Sequence, residues 1–540
     1  MRPLSACTAC RDRRKRCDRP RLGTSCTFCI RRGLECTVEQ HPSPAREDGY
    51  EPLVSSRGDG AAPISPAALM PDWELCNELV DLYFRYIHVA FHNLFHRPSF
   101  EAGVLDGTIP KILVFGIFGL SARFSSHPYF VDIDPQERGR PYAKEAERLL
   151  DLHKTCLTTI QACVLLGAIQ VVEMDSATES IFYTIACRLA MILDLPNAPA
   201  KTQTEQEVNL RVWWSVVATD TWSSTALALP RAIQPRYDID MPMDERVFLK
   251  LSPTEPPVYR QHGPDQSKSL IAQMIKLNGI LYDINTFNTK ATTEVLQEDR
   301  VLDSVAELSA ALEAWQSELP ADMQYNANNL QYWADLGCGP SFVVLHINFN
   351  HASQLLFYRF LHNSLHHPAS PVAVDSATFD YAAKCRSHAA NLCEIIYASS
   401  LHATTTEVQY PLAGHMLVIA STVHLHTLLF GTDDAEIARA RARLEHNFQI
   451  ISRLQRYWPS LQASFSRLRA FHAACMDVDK HEGTDVTFRL DRWMLRFLLD
   501  FAKPVDVAER YREGADNPAL WLRLGETEGW KGGSTEPGPP

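Results

Sequence analysis

The chain has 540 residues, 46% of them hydrophobic and 21% charged, a balance that excludes a wholly disordered polymer and a length that suits two or three folded units. The formal net charge is −12, yet residues 1–36 carry ten Lys/Arg against three Asp/Glu, or +7, which leaves −19 on all that follows. The acidic total therefore excludes nothing about polyanionic partners for that basic head.

The start, MRPLSACTAC, has no apolar run of signal-peptide length, so a reducing intracellular compartment is expected. Cys7, Cys10 and Cys17 then form C-x2-C-x6-C, and Cys26, Cys29 and Cys36 repeat that spacing 19 residues later. Structural zinc takes four tetrahedral ligands, so six thiolates can serve two ions only if two sulfurs are shared. Six thiolates against two Zn²⁺ leave a modest negative excess, which the surrounding cations offset. A disulfide knot is the competing reading, and the spacing alone does not show which sulfurs bridge. Without metal, so short a segment has almost no core and is expected not to fold.

Between Cys10 and Cys17 lies RDRRKR. Its cations Arg11, Arg13, Arg14, Lys15 and Arg16 would project from one small metal-anchored helix toward DNA, where Arg or Lys can bond guanine O6 and N7. The run also suits a nuclear-import signal. Arg31 and Arg32, just ahead of Gly33, fit phosphate clamps better than base readers.

Residues 7–36 resemble the fungal zinc binuclear cluster (Zn2Cys6) domain of transcription factors, with all six cysteines in place and Pro20 in the inter-half loop where that family usually has proline. The resemblance implies that Cys7 and Cys26 bridge, that Cys10 and Cys17 complete one ion, and that Cys29 and Cys36 complete the other. It also implies that Arg13 and Arg14 read a CGG-type triplet in double-stranded DNA. The family usually has lysine at the position of Arg14, which leaves the base preference open. One such module makes a small contact, so a partner or a second copy of the chain, as in a homodimer, is expected to add specificity. A nuclear regulator of RNA polymerase II transcription, working with the transcription machinery or co-regulators, is the function implied.

Residues 1–40 are thus expected to be the zinc module, and 41–71, rich in Pro, Gly and Ser, a flexible linker. The linker has no sustained a/d heptads, so no coiled coil announces a dimer. From 72 to 502 the periodicity is helical. Leu345, Phe349, Ala352, Leu356 and Phe360 share one helix face, as do Cys385, Ala389, Leu392 and Ile396. Proline-rich breaks near 196–199, 253–264 and 367–371 separate the blocks. The stretch 411–431 is apolar, but His415, His424 and His426 interrupt it, so a buried helix pair rather than a membrane span is expected. The fold class expected is a small zinc-nucleated α module, a linker and a large all-α domain.

LFHRPSF at 94–100, ACRLAMILDL at 186–195 and RVWWSVVATDTWSSTALALPRAI at 211–233 are similar to the fungal-specific transcription factor middle domain. LPRAI stands where that family often has Gly-Arg-Pro, and DIDMP follows at 238–242. Trp213 and Trp214 are expected to anchor the helical core. Arg188, in an otherwise apolar helix, is expected to pair with Asp220.

Two other classes are weighed. His88, His92 and His96 recur every fourth residue and could hold a catalytic metal on a helix face, but no HExxH, GxSxG, P-loop or dinucleotide glycine pattern accompanies them. Polar edges of an amphipathic helix explain them, and the chain is not expected to be an enzyme. A ligand-sensing repressor, with the helical body as sensor, is the alternative to an activator. The cysteines Cys76, Cys156, Cys163, Cys187, Cys338, Cys385, Cys393 and Cys475 are expected to be unreactive free thiols. The tail, 503–540, is expected to be disordered. Activation is assigned from about residue 490 onward, where two stretches set bulky apolar side chains among acids: 490–501 reads first as the last core helix, so PALWLRLGETEGW at 518–530 is the better candidate.

Overall fold

Asp72 starts the helical body: its Oδ1 accepts the Leu75 N–H at 3.0 Å, supplying an acceptor for one of the donors that a first turn leaves unpaired. The computed structural model describes residues 26–32 and 69–468, apart from 89–91, 228, 235, 237–238, 259–267, 294–296, 366–375, 402–405, 432 and 467. By contacts the chain divides into two units, Met1–Ile64 and Ser65–Pro540. In the first, the described element is α1, Thr27–Arg32.

In the second unit, the regular elements of the described residues are helices, and the one β contact is an isolated bridge between His88 and His92. In chain order they are α2 (Trp73–Tyr86), α3 (Arg97–Leu105), α4 (Lys111–Ser121), α5 (Arg140–Arg148), α6 (Leu157–Glu173), α7 (Ser176–Ile192), α8 (Gln203–Leu227) and α9 (Glu245–Phe248). There follow α10 (Leu270–Thr293), α11 (Glu298–Glu318), α12 (Ala327–Asp335), α13 (Gly339–Phe357), α14 (Ser376–Leu401), α15 (Pro411–Phe430) and α16 (Asp434–Gln455). None of the described helices is long and apolar enough to cross a membrane.

Neighbours in sequence are neighbours in space. Helices α6 and α7, α7 and α8, α13 and α14, and α15 and α16 pack side by side, while α13 also touches α10, α11 and α12. The α6–α7 turn is set by Met174 in the left-handed region at φ 62° and by Asp175, whose Oδ1 accepts the Thr178 N–H at 3.0 Å. Where these helices cross, a Cβ at Gly167 would collide with the Tyr183 ring, so the close approach requires glycine. Trp213 and Trp214 on α8 are each only 2% exposed, so truncating either to alanine should cost about 3–5 kcal/mol. They are the anchors expected of them.

Helix α13 differs from its sequence reading in a useful way. Leu345, Phe349, Ala352 and Leu356 are buried as their spacing predicts, but so is every residue of α13 except Pro340. The helix is enclosed on all sides, and several of its polar groups find partners inside. The His346 ring donates from Nε2 to the Met323 carbonyl at 2.9 Å, and the Asn350 amide donates to the His346 carbonyl at 2.9 Å. Asn350 Oδ1 accepts from His388 Nδ1 on α14 at 2.9 Å. A buried polar group costs little once bonded, which is how a helix with such a mixed sequence can lie in the core.

Candidate metal centre and a cavity in the helical body

Cys26 immediately precedes α1 and Cys29 lies one turn into it, which places both sulfurs on the same side of a helix start. Both are fully buried thiols outside any disulfide, and the Cys29 N–H donates to Cys26 Sγ at 3.4 Å. Two buried sulfurs one turn apart suit two of the four donors of a tetrahedral thiolate site, so the described cysteine pair fits zinc. Ile30, Arg31 and Arg32 are exposed on the next turn, which leaves both guanidiniums accessible to a polyanion. Cys7, Cys10, Cys17 and Cys36, together with Arg11, Arg13, Arg14, Lys15 and Arg16, lie outside the described residues, as do the linker through 68, Cys475 and the segments 490–501 and 503–540.

The histidine triplet corrects the sequence reading. Helix α2 ends at Tyr86, so His88, His92 and His96 share no helical face. All three are buried and held separately: His88 Nε2 accepts the Phe95 N–H at 3.2 Å, His92 Nε2 shares a hydrogen bond with the Tyr83 hydroxyl at 2.8 Å, and His96 Nδ1 shares one with Ser99 at 2.7 Å. Burial holds the His92 pKa down at about 3. These rings fix a loop rather than edge a helix. Among the described residues no three His, Cys, Asp or Glu side chains gather as metal ligands.

The expected Arg188–Asp220 pair is also corrected. Arg188 is exposed on α7, and Asp220 is buried on α8 with other partners. Its two carboxylate oxygens accept the N–H groups of Ala232 and Ile233, both at 3.1 Å, and Arg231 Nε lies 3.8 Å away. Asp220 therefore holds the LPRAI turn, the segment whose sequence departs from the resembled pattern. Among the described residues, Arg211 is a buried arginine with a close carboxylate partner. It donates to Glu207 Oε1 at 2.8 Å and to the Met243 carbonyl at 2.6 Å, and it stacks over the Phe248 ring at 3.9 Å. Glu245 extends the chain of charges by accepting from Ser269 Oγ at 2.8 Å and Leu270 N at 2.9 Å, at the start of α10.

Seven of the eight remaining cysteines are described. All seven are thiols, and all but the half-buried Cys156 are buried. Burial pushes Cys163, Cys338 and Cys393 up to about 12, which keeps them protonated and unreactive.

Sequence reasoning missed a cavity of about 90 Å³ where the 92–93 segment, α8, α10, α13 and the start of α15 meet. Its walls are mainly apolar, with Trp214, Trp222, Leu270, Met274 and Val344 prominent, and no Asp, Glu, Lys or Arg lines it. Three lining residues, Asn93, Asn278 and Asn348, are buried with a side-chain oxygen that has no hydrogen-bond partner. An orphaned buried polar atom costs about 1–3 kcal/mol, and these three oxygens are sealed within the walls. The only signal in sequence was asparagine inside apolar helices, as in MIKLNGILY and VVLHINFN.

Residues 5–45 match the fungal Zn(2)-Cys(6) binuclear cluster domain, and residues 80–317 match the fungal specific transcription factor domain; together these segments span more than half of the chain. An uncharacterized transcriptional regulatory protein of Schizosaccharomyces pombe is 24% identical over 330 residues, covering 54% of this chain and 33% of its own length. A Zn(2)-C6 fungal-type transcription factor of Fusarium oxysporum f. sp. lycopersici is 22% identical over 536 residues, covering 93% of this chain and 55% of its own. The chain thus spans about a third to about half of the length of these curated relatives.

Proposed function

Because the chain belongs to the fungal Zn(2)-Cys(6) transcription factors, we propose that its first 40 residues bind two zinc ions and read double-stranded DNA in the nucleus. Members of this family are transcription factors rather than enzymes. On this reading the module is followed by a linker over 41–71, a regulatory body over 72–502 and a tail over 503–540. Cys7 and Cys26 bridge the ions, Cys10 and Cys17 complete one, and Cys29 and Cys36 complete the other. The metal makes a rigid body from a segment too short to have its own core. Arg13 and Arg14 then meet base edges of a CGG-type triplet, while Arg11, Lys15, Arg16, Arg31 and Arg32 hold phosphates.

The observation that carries this reading is the duplicated C-x2-C-x6-C spacing, whose described pair, Cys26 and Cys29, is buried one turn apart with exposed Arg31 and Arg32 following. We assign the chain to activation of RNA polymerase II genes through co-regulators that contact 518–530, and to sites completed by a second copy or a partner. Randomised-site selection tests the base-reading role. Wild type should return a CGG-containing motif and Arg14→Ala a relaxed one, at a cost of about 1–3 kcal/mol for each base that is no longer bonded. An unchanged motif in Arg14→Ala would remove that residue from base reading.

A further inference from the structure

We propose that the cavity between α8, α10 and α13 binds a small, uncharged, apolar molecule, no larger than a five-membered ring. The walls set the chemistry. Trp214, Trp222, Leu270, Met274 and Val344 dominate the lining, and no Asp, Glu, Lys or Arg takes part in it. An ion entering would lose its hydration and meet no counter-charge. Several hydrogen-bonding groups of the walls are engaged within the protein. Trp214 donates its indole N–H to the Asp240 carbonyl at 2.9 Å, and the Asn348 amide donates to the Val344 carbonyl at 2.8 Å. Ser215 Oγ donates to the Arg211 carbonyl at 2.8 Å while accepting the Asn93 N–H at 2.8 Å. The side-chain oxygens of Asn93, Asn278 and Asn348 are sealed from the void.

These engagements disfavour water as the occupant. A buried water needs about two to four polar partners, and a void that cannot supply them stays dry and takes up apolar molecules instead. An apolar guest gains dispersion contacts that the empty walls lack, and it leaves no hydrogen bond unmade on entering. Size sets the upper limit: a dry engineered cavity of about 150 Å³ takes benzene or xenon in another protein, and this one, at about 90 Å³, suits xenon or a smaller ring. The walls come from the 92–93 segment, α8, α10, α13 and Tyr410 at the start of α15. A guest therefore joins segments far apart in the chain, and its binding stabilises the folded body.

The site lies wholly within the second unit and stands apart from the DNA-reading proposal, so it is tested without DNA. Xenon, followed by its own NMR shift in the full chain, is the fully apolar probe. Furan and pyrazole, rings of similar size that differ in polarity, are titrated by calorimetry, with acetate as the small anion. Saturable binding of xenon is expected, and furan should bind roughly tenfold tighter than pyrazole and raise the urea midpoint. Acetate should not bind. Ala218→Leu, which enlarges an apolar side chain on the cavity wall, should abolish binding of xenon and furan. The comparison of the two rings is made on wild type, so it stands even if that variant does not fold. No saturable binding of xenon or furan because the cavity holds water, pyrazole binding as tightly as furan, binding of acetate, or xenon binding unchanged in folded Ala218→Leu would each overturn the proposal.

Discussion

Arg211 donates its Nε–H to Glu207 Oε1 across 2.8 Å, one turn apart on α8, and the two side chains are 1% and 0% exposed. The same carboxylate oxygen accepts the Met243 N–H at 2.9 Å, and the Arg211 guanidinium returns a bond to the Met243 carbonyl. The pair therefore pins the segment after the LPRAI turn to α8. Removing one partner strands the other charge in the core. Arg211→Ala or Glu207→Ala should each destabilise by about 3–5 kcal/mol, whereas a joint apolar replacement, Arg211→Met with Glu207→Leu, should cost much less than the sum. Urea unfolding of the three variants decides it, and additive losses would contradict the account.

Acid should destabilise the body through its histidines. Burial lowers His92, His351 and His424 to about 3, and His346 and His388 to about 4. Below the ordinary value of 6.5 the unfolded chain takes up protons that the folded chain refuses, so stability is lost as pH falls from 6.5 toward 4. Glu179 opposes this. Burial raises it to about 7, so the folded chain holds an extra proton between 4.5 and 7, and that contribution is lost as pH rises. Each unmatched proton changes stability by about 1.4 kcal/mol per pH unit. Five histidines outweigh one glutamate, so the urea midpoint should fall between pH 7 and pH 5. Glu179→Gln should make the fall steeper, and a flat profile in wild type would show that these rings are not buried in solution.

Elemental analysis combined with thiol titration should give two zinc ions per chain, and Cys26→Ser should lose metal because that sulfur is assigned to both ions. One ion per chain would remove the shared-sulfur arrangement.

Arg31→Ala with Arg32→Ala should weaken all DNA sequences alike. It should also flatten the dependence of log affinity on log salt by roughly two, one for each phosphate that is no longer neutralised. A changed sequence preference in that variant would make these residues base readers instead.

The legible part of this molecule was local. A cysteine spacing carries its chemistry in a few residues, and Trp213 and Trp214 announce a core by size alone. The illegible part was tertiary. His88, His92 and His96 have helical spacing, but α2 ends at Tyr86, two residues before the first of them. Arg188 has an apolar neighbourhood in sequence and water in space, while Asp220 is turned to the backbone of Ala232 and Ile233. The periodicity of α13 revealed one buried face, and partners brought from α10, α11, α12 and α14 bury the others. The cavity could not be read from sequence because its walls come from five segments far apart in the chain.

The most direct test of the central claim is fluorescence anisotropy of a CGG-containing duplex and a scrambled duplex, titrated with the full chain before zinc chelation, after it, and after zinc is restored. The account predicts a preference for the CGG duplex that chelation abolishes and zinc returns, because the module has no core of its own without metal. A preference that survives complete removal of zinc, or none in the zinc-loaded protein, would contradict it.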